Sequence, residues 1–380
     1  MNRHGCAVRR RIVQGLASAW LLPRAWANAD TNPPDAQRFA AVVPGYRMRF
    51  PLDAGSHPEF RLEWWYVTGW LGAETRELGF QITFFRARPE RRYDNPSAFT
   101  PRQIIIAHAA LSDPDRGRLI HAQRAAREGF DLAGATQGET RVWLDDWSLT
   151  EQDRAYRAIV SWDDVAFDFS LIPRDPPLLQ GNAGYSRKGP AALSASYYYS
   201  IPQLAVQGNL RNGGRARRVT GLAWLDHEWS SQYLDERAVG WDWIGINLAD
   251  GGALMLFRMR DRNGGAFWAG GTLRHASGET RSFGSPEILF TALREWRSPR
   301  TGVRYPVAWR VETPVLRLSL QPLMDDQEHD TRATSGTLYW EGAVRALRGR
   351  DVVGHGYLEL TGYAARVDLN GNEADDHRSR

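Results

Sequence analysis

The sequence predicts an all-β protein. Short runs rich in aromatic and β-branched residues recur along the chain, and turn residues separate them. The spacing of about eight to twelve residues from strand to strand is typical of antiparallel sandwiches and barrels, and it excludes alternating βαβ units. Without its N-terminal segment the chain has roughly 350 residues, which suits two domains.

The first half contains most of the regular strand pattern. Aromatic and β-branched composition predicts strands over residues 63–71, 79–86, 104–111, 139–143, 147–150, 156–162 and 165–173. Residues 121–128 have helical propensity and predict a short helix. Residues 180–200 interrupt the rhythm with Gly, Ser and Tyr. Two interpretations remain open for this segment: a surface loop followed by a strand, or a loop that closes over a ligand.

The second half continues the pattern with hairpins. Strands are predicted over residues 204–210, 218–225, 241–248, 253–260, 266–273, 280–283, 304–312, 315–322, 337–344 and 353–360. Gly-rich turns at 212–214 and 250–252 join the first two pairs. A turn of helix is predicted at 288–296, and the polar residues 230–238 are the expected link between domains.

The N-terminus has the features of an export signal. Basic residues at 3 and 9–11 precede an apolar run at 12–22 and small-residue cleavage patterns at 25–27 or 27–29. The paired arginines favour the twin-arginine route, so we expect a periplasmic or secreted protein. The predicted organisation is an export signal at 1–29, a lead-in at 30–44, domains at 45–233 and 234–369, and a disordered tail at 370–380.

Cysteine and charge exclude several classes of function. Cys6 is the sole cysteine and lies in the segment to be removed, so disulfides, thiolate catalysis and Cys-ligated metals are excluded from the mature chain. The net charge is +4, and arginines are dispersed without a basic stripe. We therefore expect no nucleic acid partner. No Gly-rich phosphate loop precedes a helix.

Residues 221–260 concentrate polar groups among four of the sixteen tryptophans. Strand alternation puts His227 and Trp229 on one face and Asp226 and Glu228 on the other. These neighbours diverge, which disfavours a metal site, and no GxSxG pattern supports a serine nucleophile. A carboxyl group among indole rings has a raised pKa and can donate a proton, so acid–base chemistry fits better. The alternative is purely structural: the tryptophans belong to an ordinary core, and the acids are residues at strand ends.

Several strings together resemble a known family. They are EWWYVTGWL, YSRKG, ASYYYSIPQLAVQGNL, GLAWLDHEWSSQYL, GWDWIGINLADGGALMLFRMR, YWEGAV and GHGYLELTGY. They resemble the AttH/carotenoid 1,2-hydratase family, whose members include proteins described as secreted hydrolases. The resemblance implies two tandem lipocalin-like antiparallel β-barrel domains. It also implies hydration of an isolated double bond without a cofactor or metal.

The resemblance also implies a site. The family's His-x-Trp pair falls on His227 and Trp229, and its catalytic Asp on Asp242. We expect these three to converge on one buried cavity, with a bulge at Gly240 turning Asp242 inward. Further catalytic candidates are Asp226 and Glu228. The expected substrate-binding residues are Trp64, Trp65, Tyr66, His108, Tyr198, Trp241 and Trp243.

Two functions follow from these expectations. The first is an enzyme, a hydro-lyase or hydrolase, that binds a hydrophobic polyene or lipid-like molecule. The second is a carrier that delivers such a ligand to an ABC transporter permease, with transient membrane contact, as the resemblance to the exported AttH-like branch implies. Buried acids with shifted pKa values would favour the enzyme, and an apolar cavity with acids at its rim would favour the carrier.

Overall fold

A computed structural model describes residues 39–73, 76–89 and 102–369. The predicted export signal at 1–29, most of the lead-in and the tail at 370–380 lie outside these residues. The described chain folds into β-strands joined by turns and short 3₁₀ segments, and contains no α-helix. No helix in this part of the chain is long and apolar enough to span a membrane. The predicted all-β class is confirmed.

The first antiparallel sheet contains thirteen strands. They are β1 (Leu62–Ala73), β2 (Arg76–Ala87), β3 (Ile104–Ser112), β4 (Ile120–Arg127), β5 (Ala133–Ala135), β6 (Arg141–Leu144), β7 (Trp147–Gln152), β8 (Ala155–Trp162), β9 (Val165–Ile172), β10 (Leu178–Leu179), β11 (Tyr185–Arg187), β12 (Ala195–Asn212) and β13 (Arg215–Ser230). Their order is β4-β3-β2-β1-β13-β12-β9-β8-β7-β6-β5, and β10 and β11 pair with β12.

The second antiparallel sheet contains ten strands. They are β14 (Gly240–Leu248), β15 (Ala253–Arg260), β16 (Ala266–Arg274), β17 (Thr280–Gly284), β18 (Leu289–Arg297), β19 (Arg304–Glu312), β20 (Arg317–Pro322), β21 (Glu328–Thr331), β22 (Thr337–Arg348) and β23 (Asp351–Leu360). Their order is β17-β16-β15-β14-β23-β22-β20-β19-β18, with β21 beside β22. The chain passes from one sheet to the other between β13 and β14.

Each sheet encloses its own apolar core, and a third cluster lies between the sheets. Trp65 and Val67 face the first core, whereas the alternate residues Tyr66 and Trp70 of the same strand belong to the third cluster. The Trp70 indole Nε1 donates a hydrogen bond to the Gly356 carbonyl of the second sheet at 2.8 Å. Strand alternation therefore gives β1 one face for its own core and one for the neighbouring sheet.

Two sequence predictions of helix were wrong. Residues 121–128 form strand β4, paired with β3, and residues 288–296 form strand β18, paired with β19. The backbone hydrogen bonds of these ladders outweigh the modest helix propensity of Ala- and Glu-containing segments.

The hairpin around residues 212–214 is longer than predicted. Its strands β12 and β13 extend to Ala195 and Ser230, because Tyr197–Tyr199 pair with His227–Trp229 in the ladder. The segment at 180–200 contributes the short strands β10 and β11 and the start of β12. The aromatic residues at 197–199 are thus fixed in the sheet.

Candidate functional site: a carboxyl-lined cavity between the two sheets

A cavity of about 340 Å³ lies between the outer face of the first sheet and the second sheet. Strands β1, β2, β3, β12 and β13 line it on one side, and β14, β22 and β23 on the other. Its walls are largely aromatic. The rings are those of Trp64, Tyr66, Phe85, Tyr198, Tyr233, Trp241, Trp243 and Tyr339.

Six acidic residues line this aromatic cavity, and apart from Glu63 and the exposed Asp368 four carboxyl groups remain. Asp226 and Glu228 are two residues apart on β13, so they share one face of the strand. Glu341 on β22 and Glu359 on β23 line the cavity from the second sheet. Asp226, Glu228 and Glu341 are buried, and Glu359 is half-buried. Burial of several like charges is costly unless some of them carry protons.

Asp226 accepts hydrogen bonds from three side chains. The donors are the Tyr198 hydroxyl at 2.8 Å, the Ser200 hydroxyl at 2.5 Å and the Trp224 indole at 2.7 Å. These donors stabilise the carboxylate, yet desolvation outweighs them and raises the pKa of Asp226 to about 7. Nearby Glu228 adds to the rise. Asp226 can therefore exchange a proton near neutral pH.

Glu228 forms a buried ion pair in the cavity wall. The Lys188 ammonium lies 2.7 Å from Glu228 Oε1, and the Ser196 hydroxyl donates to the same oxygen. Burial raises the pKa of Glu228, and Lys188 and Ser196 oppose that rise.

Glu341 and Glu359 differ from Asp226 in having fewer hydrogen-bond partners. Among the described residues, the Glu341 Oε1 atom and the Tyr66 hydroxyl, which both line the cavity, have no hydrogen-bond partner of good geometry, although the Tyr66 and Tyr339 hydroxyls lie near enough to oppose the rise in the pKa of Glu341. Burial raises the pKa of Glu341 well above its ordinary value, with a further contribution from Glu359. The Trp241 indole donates to Glu359 at 3.0 Å, and burial raises the pKa of Glu359 to about 7. Burial thus favours the protonated form of Glu341.

His227 and Trp229 lie on the opposite face of β13, inside the first domain, which is the one built from the first sheet. The two ring nitrogens of His227 contact Glu63 Oε1 at 2.9 Å and the Tyr199 hydroxyl at 3.1 Å. The His57 ring stacks on Trp229 with 3.8 Å between centroids. Neither residue lines the cavity.

Asp242 lies in the interior of the second domain. It forms ion pairs with Arg258 at 2.6 Å and Arg260 at 3.1 Å, and it accepts a hydrogen bond from the Tyr363 hydroxyl at 2.9 Å. It shares its strand face with Ile244 and Ile246 of the second core.

The predicted convergence of His227, Trp229 and Asp242 is therefore wrong. Each faces the core of its own domain, and the two domains contact one another through the opposite strand faces. Asp242 faces inward as expected, but it lies in the core of the second domain, whereas His227 lies in the core of the first.

The remaining predicted residues divide between the two faces. Trp65 stacks on His227 with 4.7 Å between centroids and lies in the first core, away from the cavity. The cavity is lined by the predicted Trp64, Tyr66, His108, Tyr198, Trp241, Trp243, Asp226 and Glu228. His108 Nδ1 and Nε2 contact the Tyr339 and Thr334 hydroxyls at 3.1 and 3.0 Å, and burial lowers its pKa to about 3.

Lys188, Glu341 and Glu359 are among the polar residues of the site that were not predicted. Glu341 and Glu359 each stand within an otherwise apolar strand segment, in the strings YWEGAV and GHGYLELTGY. A carboxyl group at a buried strand position was the signal that could have revealed them.

The His57, Glu63 and His227 side chains are close enough together to hold a metal ion, since their ligand atoms lie within 4.8 Å of one another. The donor set does not fit a cation. Arg86 Nε is 2.7 Å from Glu63 Oε2, and His57 bridges Glu63 at 2.7 Å and Asp53 at 3.3 Å. Two acids thus already balance one arginine and a histidine whose pKa rises to about 9. This cluster is a closed salt-bridge network.

Comparison with known proteins gives a family and a fold. The AttH-like family profile matches residues 41–363. A crystal structure of a protein assigned to AttH, from Nitrosomonas europaea, is 50% identical, with a TM-score of 0.80 over 86% of this chain and 100% of that one. Kievitone hydratase from Nectria haematococca is 14% identical, with a TM-score of 0.63 over 86% of this chain and 97% of that one. No curated protein sequence matches the chain. The fold is lipocalin-like, as the sequence predicted.

Proposed function

Because the chain belongs to the AttH-like family, whose fold a named hydratase shares, we propose that it is a hydratase. It adds water to a carbon–carbon double bond of a hydrophobic small molecule bound between the two domains. The observation that carries this proposal is the buried carboxyl group of Glu341, whose pKa burial raises and whose Oε1 atom has no hydrogen-bond partner among the described residues, in an aromatic cavity that also holds Asp226.

The reaction needs a proton donor, a water molecule and a proton acceptor. Glu341 donates its proton to one alkene carbon, and the π electrons form the new C–H bond. A water oxygen then bonds to the other carbon, and its surplus proton passes to the carboxylate form of Asp226. The substrate gains one water molecule; Asp226 then releases its proton to solvent, and Glu341 takes one up from solvent. A base with a pKa of about 7 suits this exchange at neutral pH.

The cavity walls support the same chemistry. Protonation of an alkene places positive charge on carbon, and indole and phenol ring faces attract a cation. Trp64, Trp241 and Trp243 supply such rings, and the aromatic surface also accommodates an apolar substrate. The second carboxyl pair, Glu228 and Glu359, adds negative charge near the developing cation.

The carrier hypothesis is weaker on this geometry. A carrier requires an apolar cavity and gains nothing from buried carboxyl groups, whose desolvation is unfavourable. Here Asp226, Glu228 and Glu341 are buried rather than placed at a rim. Export to the periplasm and association with an ABC transporter permease are compatible with either function and remain predictions.

Isotope incorporation tests the proposal. The protein is incubated in water enriched in oxygen-18 with a hydrophobic extract of the source cells and with acyclic polyenes that carry isolated double bonds. Mass spectrometry should find products that have gained one labelled water. Glu341→Gln should abolish this gain, because an amide cannot donate the proton. Glu77→Gln, which replaces an exposed acid of the first sheet outside the cavity, should retain it.

A ligand that co-purifies and never gains labelled water would contradict the hydratase proposal and favour the carrier. Label incorporation that persists in Glu341→Gln would instead reject Glu341 as the proton donor.

A further inference from the structure

Lys188 is the sole lysine in a chain with 48 lysine and arginine residues. The chain uses arginine at every other cationic position, so the composition predicts arginine here as well. Lysine differs from arginine in having a compact ammonium group with three donors and a pKa that the surroundings can shift. A lone lysine in such a chain indicates a position where an arginine guanidinium cannot replace the ammonium group.

The surroundings of Lys188 explain the requirement. The side chain is buried, and its ammonium lies 2.7 Å from Glu228 Oε1 and 3.0 Å from the Ser186 hydroxyl. Three rings surround it, with Nζ at 4.3 Å from the Phe257 centroid, 4.8 Å from Tyr198 and 5.2 Å from Tyr233. Burial lowers the pKa of Lys188, and two oxygen acceptors and three ring faces oppose this effect by stabilising the charged ammonium. This enclosure suits a point charge and would not accommodate a planar guanidinium with five donors.

The backbone holds this ammonium in place. Lys188 directly follows strand β11, and its backbone N–H donates to the Ser194 carbonyl at 2.7 Å. Glu228 stands on the central strand β13, and the Ser196 hydroxyl of β12 donates to it. Both charged groups are therefore fixed by main-chain structure, and the charge pair behind the cavity wall is preorganised.

We propose that Lys188 is a positioning residue that keeps Glu228 as the permanent carboxylate of the cavity. Proton transfer is thereby left to Asp226, Glu341 and Glu359. The catalytic part of this inference rests on the proposed hydratase function, whereas the charge state of the pair stands on the geometry alone.

The neighbours of Glu228 show what its fixed charge does. The titratable groups that face it are Lys188, Asp226, Glu359, Tyr198 and Tyr233. A permanent negative charge on Glu228 favours the protonated form of each nearby acid, and it contributes to the raised pKa values of Asp226 and Glu359. Lys188 thus acts on the proton-exchanging groups through Glu228.

The first test uses the wild-type protein. Lysine-selective labelling with carbon-13 and nitrogen-15 gives a single set of side-chain NMR signals, since the chain has one lysine. At pH 7 the Nζ and Cε shifts should be those of a charged ammonium. Shifts of a neutral amine at pH 7 would overturn the proposal.

The second test follows the carboxyl groups by infrared spectroscopy at pH 7. Lys188→Met removes the cation that opposes desolvation, so Glu228 should take up a proton. The spectrum should gain one protonated-carboxyl C=O band per molecule, and this added band should be missing from the Lys188→Met, Glu228→Gln double variant. Arg187→Met, which removes the neighbouring exposed cation, should leave the band intensity unchanged. An unchanged carboxyl band in folded Lys188→Met protein would overturn the proposal.

Neither measurement needs turnover, so the proposal and the hydratase function can fail separately. A wild-type ammonium with no label incorporation from water would reject the hydratase and retain the charge pair. If Lys188→Met does not fold, the wild-type NMR measurement decides. Where label incorporation occurs, Lys188→Met should shift its pH profile, whereas a purely structural role would lower activity equally at every pH.

Discussion

The two faces of strand β13 have opposite chemistry. His227 and Trp229 face the core of the first domain, and Asp226 and Glu228 face the cavity between the domains. On the inner face, the acidic side chains around His227 form ion pairs with basic side chains. On the outer face, four carboxyl groups share one lysine. Alternate residues of one strand therefore serve a structural network on one side and a site for a ligand on the other.

Hydrogen-bond satisfaction separates the two faces further. Glu63 and Arg86 border the cavity, but their charged atoms bind one another and the surrounding His57, Gln103 and Phe60. On the outer face, the Glu341 Oε1 atom and the Tyr66 hydroxyl have no partner among the described residues. A closed network loses stability when one member is removed, whereas an open set of groups is available to a substrate.

The largest effect is expected from breaking the closed network. Arg86→Met leaves Glu63 buried with its main cationic partner removed. We expect the free energy of unfolding in urea to fall by about 3–5 kcal/mol. The matched control is Arg157→Met, which breaks an exposed pair with Asp168 and should change it by less than about 1 kcal/mol. Equal small losses in both variants would remove the distinction between the two faces.

A smaller effect with a defined pH dependence is expected at Asp226. Its pKa in the folded protein is about 7, above the ordinary value of 3.8, so the folded state binds the extra proton. Stability from this group is present at low pH and is lost as the pH rises from about 4 to 7. Asp226→Asn should therefore be more stable than wild type at pH 8, by about 2–4 kcal/mol, and no more stable at pH 4.

Chemical denaturation at both pH values measures this difference. A variant less stable than wild type at pH 8 would mean that the three hydrogen bonds to Asp226 outweigh its desolvation, and the proposed proton exchange near neutral pH would be rejected.

The smallest effect is expected at Glu341. Burial raises the pKa of Glu341 and so favours its neutral form, and replacement by the isosteric amide in Glu341→Gln should change the free energy of unfolding by less than about 1 kcal/mol. Glu63→Gln on the inner face makes the same chemical change but should cost about 3–5 kcal/mol, because Arg86 loses its carboxylate. Thermal or urea unfolding of the two variants compares the faces directly, and a large loss in Glu341→Gln would show that Glu341 is ionised in the folded protein.

The sequence predicted the alternation on β13 correctly, but it grouped His227 and Trp229 with Asp242, whereas the other two catalytic candidates, Asp226 and Glu228, line the cavity. Period-two alternation separates His227 from Asp226, but it does not say which face meets the other domain. That choice depends on packing between β1 and β23, which are nearly 300 residues apart, as in the Trp70–Gly356 contact. The fold class, by contrast, could be predicted, because strand propensity is a local property of the sequence.

The sequence also could not predict which side chains on other strands contact the site residues. Arg258 and Arg260 neutralise Asp242 because β14 and β15 pair in a register that places them beside it. Glu341 and Glu359 meet Asp226 only after two separate sheets pack together. Lys188 was visible as the sole lysine, but its meaning required the aromatic enclosure that the fold builds around it.

Ligand binding to the outer face is tested most directly by filling the cavity. The uncharged fluorescent probe 1-N-phenylnaphthylamine is titrated into the wild type, Ile106→Trp and Ile104→Trp. Both isoleucines are half-buried on the same face of β3, but only Ile106 lines the cavity. We expect Ile104→Trp to bind like the wild type and Ile106→Trp to bind at least about tenfold more weakly. Equal binding by all three proteins would contradict the assignment of the site to the cavity between the domains.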